Sequence, residues 1–266
     1  MKKFNKVFGR SKPIIAMAHL PPLPGSPLYD KEAGIDGIVD AVVQDIEALQ
    51  QGGVDAIMFG NEGDRPYLTK ATPESLTAMT AVVTRCLPHI EVPYGVNYLW
   101  DPVASVALAH ATGALWVREV FTGVYDADMG LWAPDAASAV RLRHNLGDDC
   151  LLLYNINAEF ASPMGTRSNS AKAKSAVFAS LADAICVSGP MTGEAVELSN
   201  IREVKDALPD TPVIANTGVR VDNVKEILGS ADAAIVGTSF KKDGITWNGV
   251  DTDRVARFMD TVNTIR

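Results

Sequence analysis

Val213-Ile-Ala-Asn-Thr-Gly-Val219 and Ala233-Ala-Ile-Val-Gly-Thr-Ser239 are two short apolar runs, each breaking into small polar residues and glycine. Residues 221–229 between them read as a helix. The whole is therefore strand, glycine turn, helix, strand, glycine turn. Glycine lets the backbone approach a ligand closely, and N–H groups exposed at such turns point at anions. In eight-stranded α/β barrels the loops after strands seven and eight commonly hold a phosphate. The signal gains weight only if these runs are strands seven and eight.

Counting from the start supports that. The basic segment Met1-Lys-Lys-Phe-Asn-Lys-Val-Phe-Gly-Arg10 precedes a first strand at 13–19 and a proline-rich loop at 20–29. Residues 30–52 are helical, with Ile35, Ile38, Val39, Val42, Val43, Ile46 and Leu49 at three- and four-residue spacing before Gly52-Gly53. Strand two, 55–59, runs into a loop at 60–66. Thr72-Pro73 caps the next helix, to about 87. Strand three is 94–98, with a helix to about 112. Strand four, 114–120, opens onto a long loop at 121–133 and a helix at 135–146. Strand five is 151–157, its loop 158–167 and its helix 170–181. Strand six is 184–187, followed by a helix around 198–208. The opening runs are strands seven and eight, and 251–265 is the eighth helix.

Strict alternation of apolar strands and helices argues a parallel sheet covered by helices. Eight units in 266 residues predict closure into a single (β/α)8 TIM barrel, one domain over 1–266. A doubly wound open sheet is the runner-up, but no Gly-x-Gly-x-x-Gly turn follows strand one.

Composition narrows the function classes. A net charge of −8 without a basic run disfavours nucleic acid and anionic membranes as partners. No segment reaches the roughly 20 apolar residues a membrane helix needs. Cys86, Cys150 and Cys186 are odd in number and lie in apolar surroundings, as expected for reduced core thiols of a cytoplasmic protein.

Chemistry in this fold belongs at the C-terminal ends of the strands. There the sequence places His19; Asn61, Glu62, Asp64 and Arg65; Asn97 and Asp101; Arg118 and Glu119; Asn155, Asn157 and Glu159; Ser188; Asn216 and Thr217; Thr238 and Ser239. The expected catalytic set is His19, Glu62, Asp64 and Glu119. Glu119 leads it, because a carboxylate closing an apolar strand is costly to bury unpaired, and Arg118 points to the opposite face. Glu62 and Asp64 are equally readable as helix caps or as partners of Arg65, and Asp101 before Pro102 as an N-cap.

Asn61, Asn97, Asp101, Asn155, Asn157 and Asn216 are the expected substrate-binding residues. Thr217, Gly218, Gly237, Thr238 and Ser239 are the expected phosphate cradle. No lysine ends strands one to seven, which disfavours a Schiff-base enzyme. Lys241 and Lys242 are expected on the surface or beside a phosphate. A divalent metal stays open, no organic cofactor is expected, and the expected partner is a small phosphorylated metabolite. Homo-oligomerisation is left open.

Several motifs carry a resemblance over essentially the whole chain. Ala16-Met-Ala-His-Leu-Pro-Pro-Leu-Pro-Gly25, Asn61-Glu-Gly-Asp-Arg-Pro66, Ala215-Asn-Thr-Gly-Val219 and Gly237-Thr-Ser-Phe-Lys-Lys-Asp-Gly244 resemble the BtpA/SgcQ family. The resemblance implies a barrel related to the ribulose-phosphate-binding group. For function it points two ways: sugar-phosphate metabolism through the SgcQ-like members, or non-enzymatic assembly of photosystem I or another membrane complex through BtpA. The strand-end residues favour an acid/base isomerase, epimerase or lyase acting on a phosphorylated sugar or nucleoside-type metabolite.

Overall fold

Side chains that alternate along each strand have two destinations here, the inside of a closed ring or the helices around it. The computed structural model describes residues 1–266. Its elements are α1 (Lys2–Phe8), β1 (Ile14–His19), α2 (Gly34–Gln51), β2 (Ala56–Gly60), α3 (Pro73–Cys86), β3 (Tyr94–Asn97), α4 (Pro102–Thr112) and β4 (Trp116–Glu119). Then come β5 (Tyr125–Ala127), β6 (Gly130–Trp132), α5 (Ala136–Asn145), β7 (Leu151–Asn155), β8 (Ala161–Pro163), α6 (Asn169–Ser180) and β9 (Ala184–Val187). The chain ends with α7 (Leu198–Ala207), β10 (Val213–Ala215), α8 (Val224–Ser230), β11 (Ala233–Val236) and α9 (Thr252–Asn263).

Eight strands close into a parallel barrel in the order β1-β11-β10-β9-β7-β4-β3-β2. The expected (β/α)8 barrel is the observed one. β1 and β2 run in register from Ile15–Ala56 to His19–Gly60, and β11 closes the ring by pairing Ile14 with Ala234.

One phase of each strand faces inward. Met17, Met58, Trp116, Leu153, Cys186, Ile214 and Ile235 form an interior cluster. The other phase, with Ala18, Phe59, Val117, Tyr154, Val187, Ala215 and Val236, packs under the helices. Trp116 fills the lower interior. Its neighbour on β3 is Gly95, where any Cβ would overlap the indole.

Two features went unread in the sequence. The basic N-terminal segment is the helix α1, whose Phe4 and Phe8 are four residues apart and buried. The Phe8 ring packs 4.8 Å from that of Trp116, tilted 46° to it, and seals the N-terminal end of the barrel. The long loops after strands four and five are also not irregular: β5, β6 and β8 pair antiparallel into a small sheet over the C-terminal mouth. Tyr125 and Trp132 on its inner face pack with Trp100, Val120 and Ala158.

Candidate functional site

Continuing each inward phase two residues past its last apolar member predicts what the barrel mouth is made of. Met17 leads to His19, Trp116 to Arg118, Leu153 to Asn155, Ile214 to Asn216 and Ile235 to Gly237. All five products line one cavity of about 250 Å³ at the C-terminal mouth, with Met17 and Ile235 as its apolar floor. Glu62, Glu119 and Glu159 also line it, as do Thr217, Gly218, Thr238 and Ser239.

The charges are tightly wired. Arg118 Nη1 donates to Asn97 Oδ1 (3.0 Å), and Arg118 Nη2 donates to Glu159 Oε1 (3.1 Å). Asn97 Nδ2 donates to Glu119 Oε2 (2.6 Å), which also accepts from the Trp100 N–H (3.0 Å). The other oxygen of Glu119 accepts from Val120 N (2.6 Å). Glu159 further accepts from Thr192 Oγ1 (2.9 Å), and Asn216 Nδ2 donates to Ser188 Oγ (2.6 Å).

Burial sets the protonation states. Desolvation raises Glu119 to about 7 against the opposing pull of Arg118 and its hydrogen bonds. Glu62 is also raised to about 7, by desolvation first and then by the charge of Glu159. His19 is lowered to about 3 by desolvation, with Lys241 and Arg118 adding to the effect, so its imidazole is neutral. Two carboxyls near their midpoint beside a fixed guanidinium can exchange protons at neutral pH.

Three buried polar atoms of this ring have no partner in the protein: His19 Nδ1, Arg118 Nε and Asn216 Oδ1. Buried polar atoms are ordinarily satisfied, so a donor and an acceptor left open at a cavity wall are free for a ligand.

The sequence-derived residues divide here. His19, Glu62, Glu119, Asn155, Asn216, Thr217, Gly218, Gly237, Thr238 and Ser239 line the cavity together. Asn61, Asp64, Asn97, Asp101 and Asn157 do not. Asp64 Oδ1 accepts from Leu23 N (2.6 Å) and its Oδ2 from Asn61 Nδ2 (3.1 Å), which pins the β1 loop to the β2 loop. Asn61 Oδ1 accepts from Leu99 N (2.7 Å).

Asp101 caps α4 through Val103 N and Ala104 N (3.1 and 3.0 Å) and accepts from Ala71 N (2.9 Å). Asn97 is buried and bridges Arg118 to Glu119. Asn157 donates to Asn169 Oδ1 (3.2 Å), away from the mouth. Placing Asp64 and Asp101 among the cavity residues is corrected accordingly: their oxygens are committed to backbone N–H groups and, for Asp64 Oδ2, to the Asn61 side-chain amide.

Lys241 is corrected too. It is buried and paired with Asp45 of α2, not on the surface, and outside the cavity lining where a phosphate would sit. Lys242 is exposed.

Arg118, Glu159, Arg220 and Arg254 were missed as site residues, and all four line the cavity. Arg118 was legible: it is in phase with Trp116, and a tryptophan beside Gly95 marks the inward side. No group of three or more His, Cys, Asp or Glu side chains is gathered to hold a metal. No helix is long and apolar enough to cross a membrane.

A closed parallel (β/α)8 barrel with an ionisable cavity at its C-terminal mouth is thus the class of protein that fold and site define. The chain belongs to the BtpA family, whose sequence model matches residues 10–264. It is 45% identical over 267 residues to the putative sgc region protein SgcQ of Escherichia coli K12, covering 100% of both chains. It is 30% identical to the photosystem I biogenesis protein BtpA of Synechocystis, covering 97% of this chain and 90% of that one. Among solved structures, tryptophan synthase from M. tuberculosis superposes with a TM-score of 0.59 over 99% of both chains. At 17% identity that likeness speaks for the fold alone.

Proposed function

We propose that the chain is an enzyme of acid/base chemistry, an isomerase, epimerase or lyase, acting on a phosphorylated sugar or nucleoside-type metabolite. The observation that carries this reading is the set of unpartnered buried atoms, His19 Nδ1, Arg118 Nε and Asn216 Oδ1, at a cavity rimmed by two glycine turns. A donor and an acceptor in the lining of one cavity suit hydroxyl and carbonyl oxygens.

The phosphate end belongs to the turns after β10 and β11. The N–H groups of Gly218, Val219 and Gly237 donate to no carbonyl in the protein. Arg220 and Arg254 stand nearby on the cavity lining. A phosphate there would meet N–H donors and guanidinium charge.

The reacting end belongs to Glu119, Glu62, Arg118 and His19. A carboxylate takes the proton from a carbon next to a carbonyl, and the electron pair moves onto the carbonyl oxygen. Arg118 stabilises that oxyanion. Return of the proton to the neighbouring carbon, or to the same carbon from the other face, gives isomerisation or epimerisation. Neutral His19 serves as a hydrogen-bonding partner to the oxygens, not as a cation.

The test is turnover of a panel of pentose and hexose phosphates, with a thermal melt against the same panel and inorganic phosphate, with and without EDTA. Glu119→Gln is expected to abolish turnover while the melt without ligand persists as one cooperative transition. Full activity in that variant would remove Glu119 from the mechanism.

A second reading rests on a different face. Val124, Leu131 and Met164 share the outer side of the small β5–β6–β8 sheet and are 43%, 73% and 64% exposed. An assembly factor would dock through such a patch, in line with the name of the Synechocystis relative, a photosystem I biogenesis protein. Leu131→Ser with Met164→Ser would then abolish assembly while Glu119→Gln left it intact.

A further inference from the structure

The cavity has two unlike ends, and barrel order sets them opposite each other. In the ring β1-β11-β10-β9-β7-β4-β3-β2, β11 stands four places from β4 and β10 four places from β3. Strands four places apart in an eight-membered ring face each other across its mouth. The β10 and β11 ends supply the glycine turns and Arg220. The β3 and β4 ends supply Leu99, Trp100 and Val120, flanked by Tyr67 after β2 and Phe160 after β7.

These five side chains are apolar or aromatic and carry no charge, the charged groups of the same side being Arg118, Glu119, Glu62 and Glu159 beside them. The Tyr67 hydroxyl is already committed to the Glu62 carbonyl (3.0 Å). The five side chains themselves offer a sugar's hydroxyls few partners. A flat ring would find large, rigid, apolar surface.

Two of these residues are held in unusual backbone conformations. Trp100 has φ +70° and Phe160 φ +54°, the left-handed region that bulky side chains avoid. Trp100 is kept there by its N–H to Glu119 and by edge-on packing against Trp132 at 4.7 Å. Phe160 belongs to none of the hydrophobic clusters and is 38% exposed, although it lines the cavity. Local strain that aims two aromatic residues at one cavity is strain kept at a binding wall.

We propose that the substrate carries a planar aromatic or heteroaromatic ring at the end away from its phosphate, seated against Trp100, Tyr67 and Phe160. This rests on the phosphorylated-metabolite reading above and narrows it. The ring lies over β3 and β4, the phosphate over β10 and β11, and the bond between ring and sugar or its neighbour lies above Arg118 and Glu119.

The test is calorimetric titration of the full chain with inorganic phosphate, ribose 5-phosphate, adenosine 5′-monophosphate and uridine 5′-monophosphate. One of the nucleotides is expected to bind about tenfold or more tightly than ribose 5-phosphate, the scale of one good aromatic contact plus its buried area. Phe160→Ala, at a partly exposed position that the fold does not need, should reduce that advantage to about threefold or less. Ribose 5-phosphate affinity should not change in that variant.

Equal affinity for ribose 5-phosphate and both nucleotides would overturn the ring while leaving the phosphate reading intact. An advantage untouched by Phe160→Ala, Tyr67→Ala and Trp100→Ala would also overturn it. No binding of any of the four compounds would overturn both.

Discussion

Nζ of Lys241 lies 2.5 Å from Oδ2 of Asp45, across 196 residues of sequence. The other oxygen of Asp45 accepts from Val250 N (2.7 Å), so one carboxylate on α2 ties down both ends of the loop between β11 and α9. That loop carries Gly244, part of the cavity lining. Replacing one member of a buried pair strands the other's charge, at a cost of about 3–5 kcal/mol. Lys241→Met is expected to lose that much in urea denaturation. A loss below about 1 kcal/mol would mean that Asp45 is solvated.

Gly237 lies against the imidazole it helps to place. A Cβ there would come 3.0 Å from Cε1 of His19 and 3.2 Å from Nε2. Its φ of −119° with ψ −88° lies outside the helical and extended regions, so Gly237→Ala adds backbone strain to the close approach. The expected result is a modestly lower melting temperature, from strain at the turn, with roughly tenfold weaker binding of a phosphate ester, from displacement of His19. Unchanged affinity would mean that His19 makes no contact with the ligand.

The titrating groups pull stability in opposite directions with pH. Glu119 and Glu62 keep their protons to about 7 when folded but lose them near 4.5 when unfolded. The folded state therefore binds more protons between those values, and stability falls as pH rises from about 4.5 to 7. His19 behaves the other way. It titrates near 3 folded and 6.5 unfolded, so stability is lost as pH falls from 6.5 towards 3. Relative to wild type, Glu119→Gln should gain more at pH 8 than at pH 4.5. His19→Gln should gain more at pH 4 than at pH 7.5. Guanidinium melts at each pH check both signs, and a pH-independent difference would contradict the burial of either group.

Arg118 is the cation that pulls down on both carboxyls, with Lys241 adding to it at Glu62. It opposes the upward shift of both Glu62 and Glu119, so Arg118→Met should push both titrations higher. In activity or ligand binding, the limb governed by a carboxylate should move to higher pH. An unmoved limb would assign the titration to some other group.

The barrel floor offers a test independent of function. Gly95→Ala places a methyl against the Trp116 indole and should cost about 1–3 kcal/mol by overpacking. Trp116→Ala alone should cost about 3–5 kcal/mol. Together they should cost less than the sum, because the added methyl then occupies vacated space. Strict additivity would place the two side chains apart.

The barrel was legible because its strands are short apolar runs of strict spacing, and a fully buried parallel sheet has little else to write. β9 shows this best, beginning and ending where the apolar run Ala184-Ile-Cys-Val187 does. What escaped is what depends on phase or on distant partners. Arg118 and Glu119 were both seen at the end of β4, yet only Trp116, two residues back, tells which of them faces the interior.

Asp64 and Asp101 look like chemistry in one dimension, because the N–H groups of Leu23 and Ala71 that claim them come from other loops. Lys241 looks exposed until α2 brings Asp45 to it. The strands β5, β6 and β8 are three residues each, too short for a period to register. α1 was hidden by its charge: lysines dominate a helix whose message is Phe4 and Phe8.

The seal of Phe8 on Trp116 has a kinetic meaning. With the lower end of the barrel filled by aromatic rings, whatever enters the cavity and whatever leaves it passes on the C-terminal side. Occupants must take turns. A spent molecule still in place blocks the next arrival, so the product of any reaction there acts as a competitive inhibitor of its own formation.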